Sequence, residues 1–230
     1  MPRPTDDARF WDRIARKYAR DPITDLAGYE RSIARTAEFL GRSDTLLEIG
    51  CGTGTTALRL APLVASIRGH DVSGEMIAIA REKATAQSCG NAEFAVAAAA
   101  AAPGDAPGGA SGVYDAVLAF NLLHLVADRA AVLAAVHRSL KRGGLFISKT
   151  PCLAEMNPLI PLALPVLRML GRAPHVAVLA APGIEAEIAH AGFTITARER
   201  HGSGRRDPRI FLIARKQQPA PGPAVLAWGG

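Results

Sequence analysis

Two acids and three glycines carry the most readable chemistry of this chain. Glu48 interrupts an apolar run, Leu46-Leu47-Glu48-Ile49, that leads straight into Gly50-Cys51-Gly52-Thr53-Gly54. Glycines at alternate positions lack a Cβ, so the backbone can turn sharply at the end of a strand and a ligand can lie against bare peptide. Asp71 ends the next short apolar segment, Ile67-Arg68-Gly69-His70-Asp71, seventeen residues after Gly54. In an α/β sheet this spacing sets a carboxylate at the tip of the neighbouring strand, where it can accept two hydrogen bonds from a ribose diol. A nucleotide-like ligand is the expected occupant.

The spacing also selects among nucleotides. A dinucleotide fingerprint needs G-x-G-x-x-G, and counted from Gly50 its third glycine would stand where the chain has Thr55. The pattern Glu48-x-Gly50-x-Gly52-x-Gly54, followed by Asp71, instead resembles motif I and the second strand of the class I S-adenosylmethionine-dependent methyltransferases, over roughly residues 46 to 216. The resemblance implies an α/β fold: a seven-stranded, mostly parallel sheet with helices on both faces, N-terminal helices, and a helical cap inserted after strand five. It implies S-adenosyl-L-methionine as cofactor, held by Glu48, Gly50, Cys51, Gly52 and Gly54, with Asp71 on the ribose hydroxyls and Val72 and Met76 flanking the adenine. Met76 is equally readable as a core contact, and Cys51 as a small filler of the loop. Where such enzymes often carry an aspartate after strand three, this chain has only alanine. The backbone of Ala98 and Ala99 would then serve the adenine, at a cost of about 1.5–3 kcal/mol for one missing charge-assisted bond. Asp105 could substitute, although its glycine-proline surroundings predict a loop.

Asn121 ends the strand Tyr114 to Asn121, beside the glycine loop, where the resemblance places the methionine end of the cofactor and the acceptor. Enzymes that methylate base amines show Asn/Asp-Pro-Pro-Tyr/Phe there; Asn121-Leu122-Leu123-His124 lacks both prolines and the aromatic, which argues against DNA. His124, three residues past the tip, is the candidate general base, since an unperturbed imidazole titrates in a useful range. Set among leucines, it is also readable as a core residue. Tyr18 is the other candidate for contact with cofactor or substrate, with a plain docking role as its alternative. No histidine or cysteine spacing suggests a metal.

The elements that must position these groups follow from periodicity. Asp7 to Leu40 reads as two helices split at Asp21-Pro22, with Phe10, Trp11, Ile14, Ala15 and Tyr18 on one stripe and Tyr29, Ile33, Ala37 and Leu40 on another. Helices are expected over Ser73 to Arg81, Asp128 to Arg142 and Gly183 to Ala191. Strands are expected at Ala92 to Ala97, Leu145 to Ser148, Phe193 to Glu199 and Arg209 to Arg215. Lys141-Arg142-Gly143-Gly144, which ends the second of those helices, resembles the L-x-x-G-G turn of the family. Between Cys152 and Leu179 an apolar, proline-punctuated stretch predicts short kinked helices. It leaves four uses open: a lid over an acceptor pocket, a homodimer interface, ordinary core, or a weak contact with a membrane surface. The expected organisation is therefore an N-terminal helical segment over the active site (1–42), a methyltransferase domain (43–216) including the cap (152–180), and a disordered tail (217–230).

The 230 residues suffice for one domain with an elaboration. Three scattered cysteines, no apolar run long enough to span a bilayer and no leader-like start point to a cytoplasmic protein. A net charge of +6 raises the question of nucleic acid, but the basic residues cluster near both ends interleaved with acids, as on solvated faces. The expected acceptor is an apolar or amphipathic small molecule rather than DNA or RNA. A cofactor-binding regulator or scaffold without catalysis, and an RNA methyltransferase, are the competing readings.

Overall fold

The structure, a computed structural model, describes residues 6–101, 112–156, 174–204 and 207–217. Strand β1 (Thr45–Ile49) lies between two cores. Leu46 faces one, with Ile67, Leu118 and Ile147; Leu47 and Ile49 face the other, with Val117, Phe146 and Leu212. A strand covered on both sides requires a continuous apolar run rather than alternation, which makes the acid at Glu48 conspicuous.

Strands β2 (Ser66–Asp71), β3 (Ala92–Val96), β4 (Tyr114–Phe120), β5 (Leu140–Pro151), β6 (Phe193–Glu199) and β7 (Arg209–Lys216) complete one seven-stranded sheet in the order β3-β2-β1-β4-β5-β7-β6. The first five run parallel, and β7 is antiparallel to both β5 and β6. The chain moves outward from β1 to β3 and then returns to start β4 on the other side of β1. The order therefore reverses between β1 and β4, the place where open α/β sheets form a crevice beyond their carboxyl ends.

Helices α1 (Asp6–Arg20), α2 (Leu26–Ala37), α3 (Thr55–Leu60), α4 (Gly74–Ala86), α5 (Arg129–Ser139) and α6 (Ala181–His190) cover the sheet. Three of them start where a side chain accepts an otherwise orphaned amide hydrogen: Asp25 from Gly28, Ser73 from Met76 and Asp128 from Ala131. Ile33 of α2, Leu58 and Leu60 of α3 and Ile77 of α4 fill one core. Val132, Leu133 and Val136 of α5 with Ile184 and Ile188 of α6 fill the other. Each such side chain contributes about 1.5–3 kcal/mol by leaving water.

The boundary between α5 and β5 moves. The helix expected to run to Arg142 ends at Ser139, and Lys141 to Gly144 belongs to β5 rather than to a helix-ending turn. Leu140 is fully buried and pairs with Tyr114, so the strand begins at once. The pairing then shifts register between Tyr114 and Ala116, across a segment where Gly143 takes φ +72°. Residues 157–173 of the expected cap, the segment 102–111 with Asp105, and the tail from 218 lie outside the described residues. The described ends of the cap form a 3-10 turn, Leu153–Glu155, tied to the returning chain by a bond from Ala154 N to Leu179 O. No helix among the described residues is long and apolar enough to cross a membrane.

Candidate active site

Of the three loop glycines, Gly52 and Gly54 are glycine for different reasons. Both have positive φ, +52° and +73°. A Cβ at Gly54 would stand 2.8 Å from the Ala80 Cβ and the Phe94 ring, so packing with α4 and β3 excludes a side chain there. A Cβ at Gly52 would meet nothing within 4 Å. Its open face is where a ligand can approach bare backbone. Leu122 covers Gly50, which joins the loop to the tip of β4.

The Gly52 amide donates to Asp71 Oδ2 at 2.9 Å, and the Ser73 amide donates to Asp71 Oδ1 at 2.9 Å. Each carboxylate oxygen keeps a lone pair free, so the group can still accept two hydroxyls. Burial, and to a lesser degree the charge of Asp12, push the Asp71 carboxyl above its usual range against those amide bonds. Asp12, which follows Phe10-Trp11 on α1, has a role that the sequence alone does not define. Its Oδ1 accepts from Ser73 Oγ at 2.6 Å and from the Glu75 amide at 3.1 Å, clamping α1 to the start of α4. The available signal was an acid on the apolar stripe of α1 facing a Ser-Gly helix start.

Glu48 is only 2% exposed. The Ala57 amide donates to its carboxylate, while Oε2 is buried without a partner. Burial first, and then the like charge of Asp71, push its carboxyl up to about 8, so the group is largely protonated at neutral pH. Two tyrosines border the same space. Tyr29 Oη lies 3.4 Å from Thr56 Oγ1, and the Tyr18 ring packs edge-on against Trp11 with centroids 6.4 Å apart. Tyr18 remains 52% exposed; its desolvated part and the carboxylates of Asp71 and Glu48 push its phenol up.

On the β4 side, Asn121 follows the strand with φ +53°, a left-handed conformation that asparagine tolerates better than most residues. Its amide donates to Lys149 O at 2.7 Å, and its side chain is exposed. His124 lies in a 3-10 turn, Leu123–Leu125, with Nδ1 buried and unpartnered, and its carbonyl accepts from the Ala177 amide at 2.7 Å. Burial pushes its imidazole down to about 4, so it is neutral across the physiological range. Ser148 and Thr150, on one face of β5 by their spacing, add two more buried hydroxyls without partners.

Sequence reasoning also missed Lys149, although a lysine directly after Leu145-Phe146-Ile147-Ser148 was visible. It is 4% exposed and donates to Ser32 Oγ at 2.8 Å and Gly28 O at 3.3 Å. His201 Nδ1 lies 3.0 Å from the same Ser32 oxygen and its Nε2 2.8 Å from Glu199, which pairs with Arg35. The chain of contacts ties α2 to β5 and β6.

The remaining expected site residues sort by surroundings. Val72 is half-buried next to Asp71. Met76 is buried in a cluster with Ala15, Ile79 and Trp11, so its side chain supports α1. Cys51 is buried, its thiol raised well above the usual range by desolvation; Cys152 is raised to about 11 for the same first reason. Neither is a ready nucleophile. Ala98 O accepts from the Ala101 amide at 2.9 Å, which leaves that carbonyl one further lone pair. Among the described residues no cluster of His, Cys, Asp or Glu could hold a metal ion.

Known proteins share the fold. A family described as a methyltransferase domain matches residues 46–144, from β1 into β5. The polyketide synthase ThaG of Burkholderia thailandensis is 38% identical over 143 residues, 56% of this chain and 2% of that much longer protein. Two solved structures superimpose over nearly the whole chain. One comes from a complex of a Haloferax volcanii methyltransferase with the Trm112 activator: TM-score 0.71, 15% identity, 95% of this chain and 100% of that one. The other is geranyl diphosphate C-methyltransferase of Streptomyces coelicolor, solved with Mg²⁺, geranyl diphosphate and S-adenosyl-L-homocysteine: TM-score 0.67, 17% identity, 94% and 100% coverage. At such identities the structural likeness speaks for the fold alone. S-adenosylmethionine joins a nucleoside to a sulfonium and an amino acid, and an open glycine face, a two-oxygen acceptor at Asp71 and an unpartnered acid at Glu48 fit those three parts. Residues 46–144 thus match a methyltransferase domain, and the sheet order is the Rossmann-like fold of the solved S-adenosylmethionine-dependent methyltransferases that the chain resembles.

Proposed function

We propose that this chain transfers the methyl group of S-adenosylmethionine to an apolar or amphipathic small molecule lying beyond the carboxyl ends of β4 and β5. The observation that carries the reading concerns charge. Every described basic residue of the carboxy-terminal group is occupied inside the protein. Arg198 pairs with Glu185, Arg200 with Glu155, and Arg209 with Asp25 and Asp207. Arg215 donates to Gly143 O, and Lys216 to the carbonyls of His137 and Leu140. These cations fasten β6 and β7 to the fold; they are not arrayed for a phosphate backbone, which an RNA substrate would require. Leu122 and Leu125, half-buried just beyond the β4 tip, favour an apolar acceptor. The polyketide synthase relative and the geranyl diphosphate enzyme support a carbon-rich one.

The bound cofactor supplies an electrophilic methyl on a good neutral leaving group. The protein's task is then alignment and exclusion of water. Gly52 offers the close approach, Asp71 two acceptors for the ribose, and Glu48 a buried acid beside the loop. The Asp12 clamp holds α1, and with it Tyr18, toward Asp71 and Glu48. Alignment of this kind can supply roughly 7–11 kcal/mol. Where the acceptor must lose a proton, His124 is neutral and able to take it. Its burial makes it a weak base, so its contribution falls at the low end of the usual ~10²- to 10⁴-fold.

The test is transfer of isotope-labelled methyl from S-adenosylmethionine to a panel of phenols, ketoesters, isoprenoids and bulk RNA. Label in one of the small apolar compounds, with no binding to RNA at moderate salt, is the expected result. Label in RNA with a steep salt dependence would replace this reading by the RNA one, and cofactor binding with no acceptor labelled would favour a regulator.

A further inference from the structure

The two basic groups of this chain have different surroundings. The carboxy-terminal cations are tied into the fold, whereas those of α1 stay on its outer surface. Arg9, Arg13, Arg16, Lys17 and Arg20 are all exposed and follow the spacing i, i+4, i+7, i+8 and i+11, which gathers them on an arc of about 100° around the helix. The inner side of α1 differs. Ala8 and Ala15 are buried, Asp12 accepts from the Ser73 hydroxyl and the Glu75 amide, and Asp7 accepts the His175 amide at 3.2 Å. Asp7 and Asp12, interleaved with the cations in the sequence, are thus occupied within the protein, and the outer face is left basic. Two ion pairs lie on that face, Arg16 with Glu82 and Lys17 with Asp21, and in each more than half of both side chains is exposed. Such exposed pairs contribute about 0–1 kcal/mol and give way readily to a stronger anion.

The chain that leaves this stripe is apolar and equally open. Beyond Arg20 and Asp21, the side chains of Pro22, Ile23, Leu26 and Ala27 are exposed, Ile23 by 42% and Leu26 by 57%. Asp25, the acid among them, accepts from Gly28, Ser203 and Arg209 within the fold. Aliphatic side chains held in water next to a line of cations form the two-part surface that lies on a bilayer: arginine and lysine reach the headgroup phosphates, isoleucine and leucine the acyl boundary. RNA suits this surface less well, because aliphatic side chains offer no platform on which bases stack. We propose that the outer face of α1 and the turn from α1 into α2 dock on an anionic membrane surface. Tyr18, on the same helix, lies toward Asp71 and Glu48, so docking brings the crevice close to the lipid. That placement suits an apolar acceptor, but the docking does not rest on the acceptor or on the cofactor and is measured without either.

Co-sedimentation of the full chain with vesicles tests the proposal, one set made of phosphatidylcholine alone and the other of equal parts phosphatidylcholine and phosphatidylglycerol. The expected result is binding to the anionic vesicles only, weakening as salt is raised. Arg16→Gln, Lys17→Gln and Arg20→Gln combined should weaken it about a hundredfold, at about fivefold per cation. Ile23→Ser with Leu26→Ser should weaken it about tenfold and leave the salt dependence unchanged. All five positions are exposed, and circular dichroism confirms that each variant is folded. Absence of binding to both vesicles, equal binding to both, or binding that either variant retains in full would overturn the proposal. Bulk RNA bound by the wild type and by the serine variant but not by the glutamine variant, with vesicles left unbound, would overturn it in favour of a nucleic-acid surface.

Discussion

The Ser73 hydroxyl donates to the Asp12 carboxylate at 2.6 Å while accepting the Met76 amide at 3.1 Å. One side chain thus caps α4 and fastens α1 to it, next to Asp71, the acid proposed for the ribose. Asp12→Ala should cost about 0.5–2 kcal/mol, the usual range for a lost cap or charged hydrogen bond. Denaturant unfolding measures that loss. Faster trypsin cleavage within α1 and weaker S-adenosylhomocysteine binding should accompany it; unchanged proteolysis would mean that α1 is held by its apolar stripe alone.

Alanine at Gly52 and at Gly54 should fail in different ways. Both variants meet a positive φ, which costs roughly 1–2 kcal/mol. Gly54→Ala adds the clash with Ala80 and Phe94, so its melting temperature should drop well below that of Gly52→Ala. Gly52→Ala should remain folded and lose cofactor affinity, because its methyl group occupies the open face. Equal melting temperatures for the two would contradict this division of roles.

How much of this was legible in the sequence depends on whether the signal is local. The glycine loop, Asp71 and strands β1 to β4 were readable because a buried parallel strand and a sharp strand-to-helix turn each impose residue types on contiguous positions. The second-strand helix extends beyond Arg81 to Ala86, and β5 reaches from Leu140 to Pro151, since boundaries are set by tertiary pairing. The Asp12–Ser73 clamp joins residues 61 apart, and the Lys149–Ser32 contact residues 117 apart. No local pattern encodes such partners. The burial of His124 was equally hidden, since leucines beside a histidine do not say how deeply it sits.

Glu48 should make the free protein less stable as pH rises. The folded state holds this proton to about 8, whereas the unfolded chain gives it up near 4.5, so between these values folding takes up a proton and stability falls with increasing pH. Glu48→Gln, which keeps an acceptor for the Ala57 amide, should be close to wild type in melting temperature at pH 5 and above it at pH 8. A difference that stays constant with pH would show that the acid is ionised throughout.

His124 carries the opposite dependence. Unfolded histidine takes up a proton near 6.5, but the buried ring resists until about 4, so stability is complete above 6.5 and is lost progressively as pH falls to 4. The full effect is about 3 kcal/mol. His124→Gln should flatten that part of the unfolding profile. The same burial sets the expectation for catalysis: any limb in the rate profile due to His124 lies near 4, and a limb near 6.5 that disappears in His124→Gln would contradict the described environment.

The central claim is that the crevice between β1 and β4 is a cofactor site organised by Asp71. Calorimetric titration of S-adenosylhomocysteine into wild type and Asp71→Ala tests it most directly, with circular dichroism confirming that the variant is folded. The account predicts saturable one-to-one binding by the wild type and affinity at least tenfold weaker in the variant. Equal affinity in the two proteins, or no binding by a folded wild type, would contradict it.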